Sequence, residues 1–307
     1  MRPRILITGG SGLLGINWAQ TVKDRFLINL VLHKRKVFVD GVKTLQLDLD
    51  SPDRLLQSFE KFYPDIIIHT AGLTNIETCE RDQDLARHVN IDLAVNVAKV
   101  CRSAGIKLVH ISTDHLFSGY DSFVDEAYPV CPVNFYGKSK AEAEARVLDI
   151  NPQSLVVRTN FYGWGTNYRR SFSDLIIDTL RSKNDRGKLT LFNDVFYTPI
   201  LAESVVTAVH ELIDQKAYGI YHIVGDDKIS KYEFGLLLAD EFDLDQSRID
   251  IGSLADNPSL IRRPLDMSLS NLKAKKLLGR ELGGVRQHIS RLHQQELDSI
   301  SHSITNG

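Results

Sequence analysis

Cysteine is scarce: Cys79, Cys101 and Cys131 are the only three in 307 residues, an odd number with no Cys-x-x-Cys spacing. That excludes a disulfide framework and suits a reducing compartment, with the thiols read as partly buried. Long apolar runs are missing too. No stretch reaches the roughly 18–20 residues that span a bilayer. Ile5-Leu6-Ile7, behind Arg2 and Arg4, is too short for a signal-peptide core, so a cytoplasmic protein with no membrane partner is expected. Charge of one sign is lacking as well: 37 basic against 39 acidic side chains leave a formal charge of −2, which removes the simplest electrostatic case for nucleic acid. There is no internal repeat, low-complexity tract or Gly/Ser linker. With 43% hydrophobic and 25% charged residues the composition is globular, and the length suits one large α/β domain or two smaller ones.

What is present is an alternation of short apolar runs with longer amphipathic ones, as when helices cover both faces of a parallel sheet. Strands are predicted at Arg4–Thr8, Leu27–His33, Thr44–Leu47, Ile66–Thr70, Lys107–Ser112 and Ser154–Arg158, several nearly continuous in Ile, Leu and Val. Helices fall between them at Leu13–Asp24, Pro52–Phe62, Leu85–Ala104 and Asn134–Ile150, the last stopping before Asn151-Pro152. Beyond Arg158 the rhythm loosens. Helices are predicted at Ser173–Lys183, Leu201–Asp214, Lys231–Phe242 and Val285–Leu297, with one strand at Ile220–Val224, and the polar tail Ser299–Gly307 reads as frayed. The expected fold class is α/β: a Rossmann-type doubly wound parallel sheet in residues 1–160, and a smaller α/β substrate-binding lobe in 161–307, some segments of which return to the first unit.

Between the first strand and first helix, Thr8-Gly9-Gly10-Ser11-Gly12-Leu13-Leu14-Gly15 spaces glycines at 9, 12 and 15. Gly9 and Gly12 allow a tight turn and close approach of backbone to a pyrophosphate, Gly15 allows close helix–strand packing, and the helix N-terminus at Leu13 and Leu14 faces the negative charge. A phosphate loop of the NTPase kind is excluded because Gly15 is followed by Ile16-Asn17, and Gly137-Lys138-Ser139 has Pro132 where a glycine belongs. A hydrolase nucleophile elbow fails because Leu13 stands two positions after Ser11. The second strand runs into His33-Lys34-Arg35-Lys36 with no acid before Asp40. An acid there would bind a ribose hydroxyl, so its absence favours NADP over NAD, with Lys34 and Arg35 as phosphate partners; a solvated basic loop is the plainer alternative. Asp48, followed by Leu49, ends the third strand where it could accept from an adenine amino group.

Tyr136 and Lys140 lie four apart and share one face of a helix, where an ammonium would lower the tyrosine pKa for proton transfer. Upstream, Ser112-Thr113-Asp114 sets hydroxyls at the sheet's carboxyl edge. Together with the glycine turn, these residues resemble the extended short-chain dehydrogenase/reductase family. Within it, Ile111-Ser112-Thr113-Asp114-His115-Leu116-Phe117-Ser118-Gly119, Val157-Arg158-Thr159-Asn160 and Arg262-Arg263-Pro264-Leu265-Asp266-Met267-Ser268-Leu269-Ser270 are similar to the dTDP-4-dehydrorhamnose reductase group, so the likeness covers nearly the whole chain.

The resemblance implies NADPH-dependent reduction of a 4-keto group on a nucleotide-linked deoxysugar. Tyr136 would be the general acid, Lys140 would hold the nicotinamide ribose and tune the tyrosine, and Thr113 would hydrogen-bond the carbonyl. Ala71 and Gly72 would line the adenosine side, and Asn90 matches a helix asparagine supporting the site, although an internal helix bond explains it equally. The group commonly carries Tyr where this chain has His115 and Asp where it has Ser118. His115 is therefore expected to line the pocket, while His69 reads as a satisfied, partly buried histidine. Trp164, Tyr168, Arg169, Tyr197 and Arg262 fall where relatives contact sugar, base or diphosphate, and each could equally be core or surface. No metal ligand set is expected, and a role for magnesium is left open. Two other readings stay open: an epimerase or dehydratase with retained NAD, and an NADP-binding regulatory subunit resembling that of methionine adenosyltransferase. Homodimerisation through Leu85–Ala104 and Asn134–Ile150 also follows from the resemblance.

Overall fold

In a computed structural model of the chain, residues 2–182, 188–257, 259–298 and 304–306 are described. Seven strands form one parallel sheet: β1 (Arg4–Thr8), β2 (Leu27–Leu32), β3 (Lys43–Gln46), β4 (Ile66–His69), β5 (Lys107–Ile111), β6 (Leu155–Arg158) and β7 (Gly219–His222). Their order across the sheet is β7-β6-β5-β4-β1-β2-β3, a doubly wound arrangement that reverses direction between β1 and β4. Strand ends agree with the sequence reading to within two residues.

Period-two alternation divides the sheet residues between two cores. Ile5, Ile7, Ile28, Leu30, Ile66, Ile68, Val109 and Val157 pack against helices Leu13–Val22 and Ala202–Asp214. Leu6, Val31, Ile67 and Leu108 pack against helices Pro52–Phe62, Leu93–Ala104 and Phe135–Ile150. The later half of the chain thus adds both a strand and a covering helix to the sheet. A separate core made of Tyr162, Ile176, Leu191, Tyr197, Phe234, Leu238, Ile289 and Leu292 holds the remaining segments together. Two of its helices start with a reciprocal capping box: Ser171 with Asp174, and Ser230 with Glu233. Among the described residues no helix is long and apolar enough to cross a membrane.

Three sequence expectations are corrected. The single helix expected over residues 85–104 is a helix Gln83–Arg87, a π-helical turn His88–Asp92 and a helix Leu93–Ala104. Apolar periodicity does not register one wide turn, whose effect is to turn Asn90 inward. The polar tail is not wholly frayed, since Ile304–Asn306 pairs antiparallel with Val37–Val39 through its backbone; residues 299–303 and 307 lie outside the described residues. The helix expected to reach Lys183 ends at Arg181, and Lys183 is likewise outside them. Of the cysteines, Cys79 and Cys101 are buried but Cys131 is exposed.

Helix Phe135–Ile150 carries the site and is pinned at its start and along its length. Asn134 caps it, its Oδ1 accepting from Gly137 N–H at 2.9 Å. One turn past Lys140, the buried Glu144 carboxylate accepts from Arg158 at the end of β6, with Nε at 3.1 Å from both oxygens and Nη2 at 2.8 Å from Oε2. Breaking such a pair strands a buried charge, whereas removing both ends costs far less. Arg158→Met is expected to lower the unfolding free energy by about 3–5 kcal/mol. Adding Glu144→Gln should recover part of that loss in urea titrations, and a single variant as stable as the parent would refute this role.

Candidate functional site

The glycine turn is packed as tightly as its spacing demands. Gly9 has φ 68, and a Cβ there would lie 2.7 Å from the backbone nitrogen of Ala71; a Cβ on Gly15 would lie 2.8 Å from Gly9 O. Any side chain at either position would separate the turn from β4 or from its own helix. Gly12 is the N-cap residue of helix Leu13–Val22, so the N–H groups of Leu13, Leu14 and Gly15 point out of the first turn without helical acceptors. Leu14 itself is buried, leaving only its backbone for a ligand.

Lys34 and Arg35 are exposed beyond β2, beside this turn. Asp48 is committed locally: Oδ1 accepts from Asp50 N–H at 3.0 Å and Oδ2 pairs with Arg54 at 3.1 Å. Leu49 packs on the sheet core, and its carbonyl accepts from Asn96 at 3.0 Å. Ala71 and Gly72 form the opposite wall, with the ideal Cβ position of Gly72 only 3.3 Å from Asn90 Oδ1. Asn90 Oδ1 accepts from Leu73 N–H at 2.7 Å, and its Nδ2 donates to Leu73 O at 3.1 Å and Ser139 Oγ at 2.9 Å. These are tertiary bonds, so Asn90 ties the wall after β4 to the helix bearing Tyr136 and Lys140 and is no mere internal helix contact.

Thr113, Tyr136 and Lys140 converge where β5 ends, all buried. The Thr113 hydroxyl, which accepts from His115 N–H at 3.3 Å, lies close enough to Tyr136 to favour its ionised form. Lys140 Nζ donates to Ile111 O at 2.7 Å. The expected lysine effect on Tyr136 is overturned: burial pushes the phenol well above its ordinary value, partly offset by Thr113 and by the Arg169 charge. The same burial lowers Lys140 to about 8, against the pull of Glu144. Tyr136 is therefore a protonated phenol at neutral pH, fit to donate, and Lys140 still holds most of its charge.

His115 packs edge-on to Tyr136, ring centroids 5.5 Å apart at 70°, and desolvation keeps it neutral. Its Nδ1 is one of several buried polar atoms here without a protein partner, along with Ser112 Oγ, Tyr162 OH and Tyr197 OH. Below the site, His69 and His110 stack at 5.5 Å; His69 Nδ1 lies 2.8 Å from Thr8 Oγ1, while His69 Nε2 and both nitrogens of His110 are unpartnered. His69 is thus fully buried and only half satisfied, contrary to expectation, and burial pushes it down to about 3.

The second lobe supplies only part of the set that the sequence suggested. Trp164 is a packing residue: Nε1 donates to Leu292 O at 3.0 Å and its ring meets Phe242 edge-on. Arg262 is exposed and donates to Tyr120 OH at 2.9 Å, whereas Arg263, paired with Glu77, is the one whose charge reaches His115. Arg169 does sit at the mouth, its Nη2 2.5 Å from Thr74 Oγ1. Tyr197 lies under Lys231, whose Nζ stands 3.3 Å from the ring centroid and interacts electrostatically with Asp114. Lys231 escaped the sequence reading. Ser230-x-x-Glu233 does mark a helix start there, but nothing local shows which pocket that start faces. Among the described residues no group of three or more His, Cys, Asp or Glu could hold a metal ion.

The chain is similar to known proteins in sequence and in fold. The dTDP-4-dehydrorhamnose reductase of Aggregatibacter actinomycetemcomitans is 27% identical over 293 residues, 90% of this chain and 93% of that one. The methionine adenosyltransferase 2 subunit beta of Pongo abelii is 27% identical over 283 residues, 89% of this chain and 82% of that one. The crystal structure of dTDP-4-dehydrorhamnose reductase from Bacillus anthracis in complex with NADP superposes with a TM-score of 0.84, 24% identity, and coverage of 96% and 100% of the two chains. Over residues 2–297 the sequence matches the family described as RmlD substrate binding domain, and the chain belongs to that family.

Proposed function

We propose that the protein is an NADPH-dependent reductase of a 4-keto group on a nucleotide-linked deoxysugar, with Thr113, Tyr136 and Lys140 as its catalytic residues. The observation that carries this reading is the buried, protonated Tyr136 phenol set beside the buried Thr113 on the edge of the sheet that the glycine turn also occupies. The cradle fits a dinucleotide: the free N–H groups at Leu13, Leu14 and Gly15 suit a pyrophosphate, Ala71 and Gly72 an adenosine, and Asp48 and Leu49 the adenine end. Exposed Lys34 and Arg35, with no acid before Asp40, suit the ribose phosphate that distinguishes NADP from NAD. When bound, the reduced cofactor supplies a hydride to the carbonyl carbon. Thr113 holds the carbonyl oxygen, and Tyr136 gives its proton to that oxygen as the alkoxide forms. Lys140, anchored on Ile111 O, presents its remaining N–H donors to ribose hydroxyls. His115, Tyr197, Lys231 and Arg169 surround the sugar and its diphosphate. The basic loop weighs against an epimerase or dehydratase with retained NAD. The similarity to the methionine adenosyltransferase subunit favours one alternative, an NADP-binding regulatory subunit.

Purified protein given dTDP-4-keto-6-deoxysugars should oxidise NADPH stoichiometrically; cofactor binding without turnover across such a panel, joined to co-purification with a synthetase, would select the regulatory reading. Tyr136→Phe is expected to lower kcat by about 10²–10⁴ while the NADPH dissociation constant moves only a fewfold. In the parent protein, NADPH affinity is expected to fall as pH rises through about 8, where Lys140 loses its proton. Lys140→Met should abolish that dependence in a fluorescence titration.

A further inference from the structure

The turn Thr166-Asn167-Tyr168-Arg169 reaches from the second lobe across the glycine turn. It is closed on itself by Thr166 N to Arg169 O at 3.2 Å and Arg169 N to Thr166 O at 3.0 Å. Its base is fixed, because Gly165 N donates at 2.9 Å to Asp174 Oδ2, the same carboxylate oxygen that closes the Ser171 capping box. Gly165 is required there, since a Cβ would fall 2.2 Å from Arg169 O. Three bonds bind this strap to the cofactor-binding unit: Asn17 Nδ2 to Trp164 O at 2.9 Å, Tyr168 OH to Ser11 O at 3.1 Å, and Arg169 Nη2 to Thr74 Oγ1 at 2.5 Å. At the tip, the Tyr168 ring packs on the sheet core and carries the Arg35 guanidinium 4.5 Å from its centroid.

We infer that Tyr168 is the positioning residue for NADP selection: the second lobe, through this strap, holds Arg35 ready for the ribose phosphate. The inference rests on the NADPH reading above. A guanidinium lying on an aromatic ring spends its face on the stack and leaves its N–H donors, which lie in the plane, free for bidentate contact with phosphate oxygens. Arg35 is otherwise an exposed, flexible side chain, and ordering it before the ligand arrives removes an entropic cost from binding. Unlike Arg35, Tyr168 is not a phosphate ligand and acts only by placing one. The strap also joins cofactor choice to the lobe that meets the substrate.

The test is the ratio of NADH to NADPH dissociation constants, read by calorimetry on the full chain without substrate. Tyr168→Leu should lower that preference for NADPH about three- to thirtyfold, the range of cation–π contacts from exposed to desolvated. Tyr168→Phe, which keeps the ring and loses only the bond to Ser11, should leave the ratio near that of the parent. Arg35→Ala should lower the ratio, and adding Tyr168→Leu to it should lower it no further. If Arg35→Ala lowers the ratio but Tyr168→Leu does not, the inference is overturned and the NADPH reading stands. If neither alters it, both the basic loop's role and the inference are overturned.

Discussion

Helix Phe135–Ile150 is held to the ends of two adjacent strands by charge. Lys140 donates to the last carbonyl of β5, and Glu144, one turn on, is gripped by Arg158 at the last position of β6. Ions buried this deeply tolerate little displacement, because any movement exposes them to a low-dielectric interior without their partners. The helix therefore has one register and one distance from the sheet. Tyr136, one turn before Lys140, inherits both, which is how the phenol comes to meet Thr113 across the strand end. Asn90, turned inward by the π-helical turn, fixes the remaining side through Ser139 and Leu73.

The same burial selects the proton chemistry. Desolvation penalises whichever form of a group is charged, so it raises Tyr136 and lowers Lys140, His69 and His115. The result is a neutral phenol, neutral imidazoles and two ammonium groups kept mostly charged, Lys140 by Glu144 and Lys231 by Asp114. A tyrosine in this state gives up a proton only to a strong base such as a nascent alkoxide, which suits reduction in the carbonyl-to-alcohol direction.

Parallel strands rich in Ile, Leu and Val, the glycine spacing and the Tyr136–Lys140 interval were legible because each is a local pattern with a single geometric reading. Thr113 was legible because its strand end faces the ligand edge of any such sheet. The direction of the Tyr136 shift was not, since it depends on how Ile76, Cys79, Ala86 and His115 pack around the phenol, and sequence spacing shows only the lysine. Trp164 and Arg262 were misplaced for a related reason. An aromatic or arginine in a long connecting stretch declares its type but not its partner, and Leu292 and Tyr120 lie more than a hundred positions away from them. Lys231 and Arg263 went unnoticed because only tertiary packing turns them toward His115.

A net charge of −2 conceals how charge is arranged around the site. Inside, the cations Lys140, Arg158 and Lys231 face the carboxylates Asp114 and Glu144, which leaves an excess of positive charge. At the rim stand Lys34, Arg35 and Arg169, exposed and unopposed by any ion pair among the described residues, with Arg263 held by Glu77. Anionic ligands would therefore meet positive charge first in solution, where it is screened and weak, and again in the interior, where each contact is stronger. The rim cations come from both lobes. Apposed cations repel, so contacts between the lobes have to offset them: the strap at residues 164–169 does so with hydrogen bonds such as Tyr168 to Ser11 and Arg169 to Thr74, and Arg263 does so by pairing with Glu77.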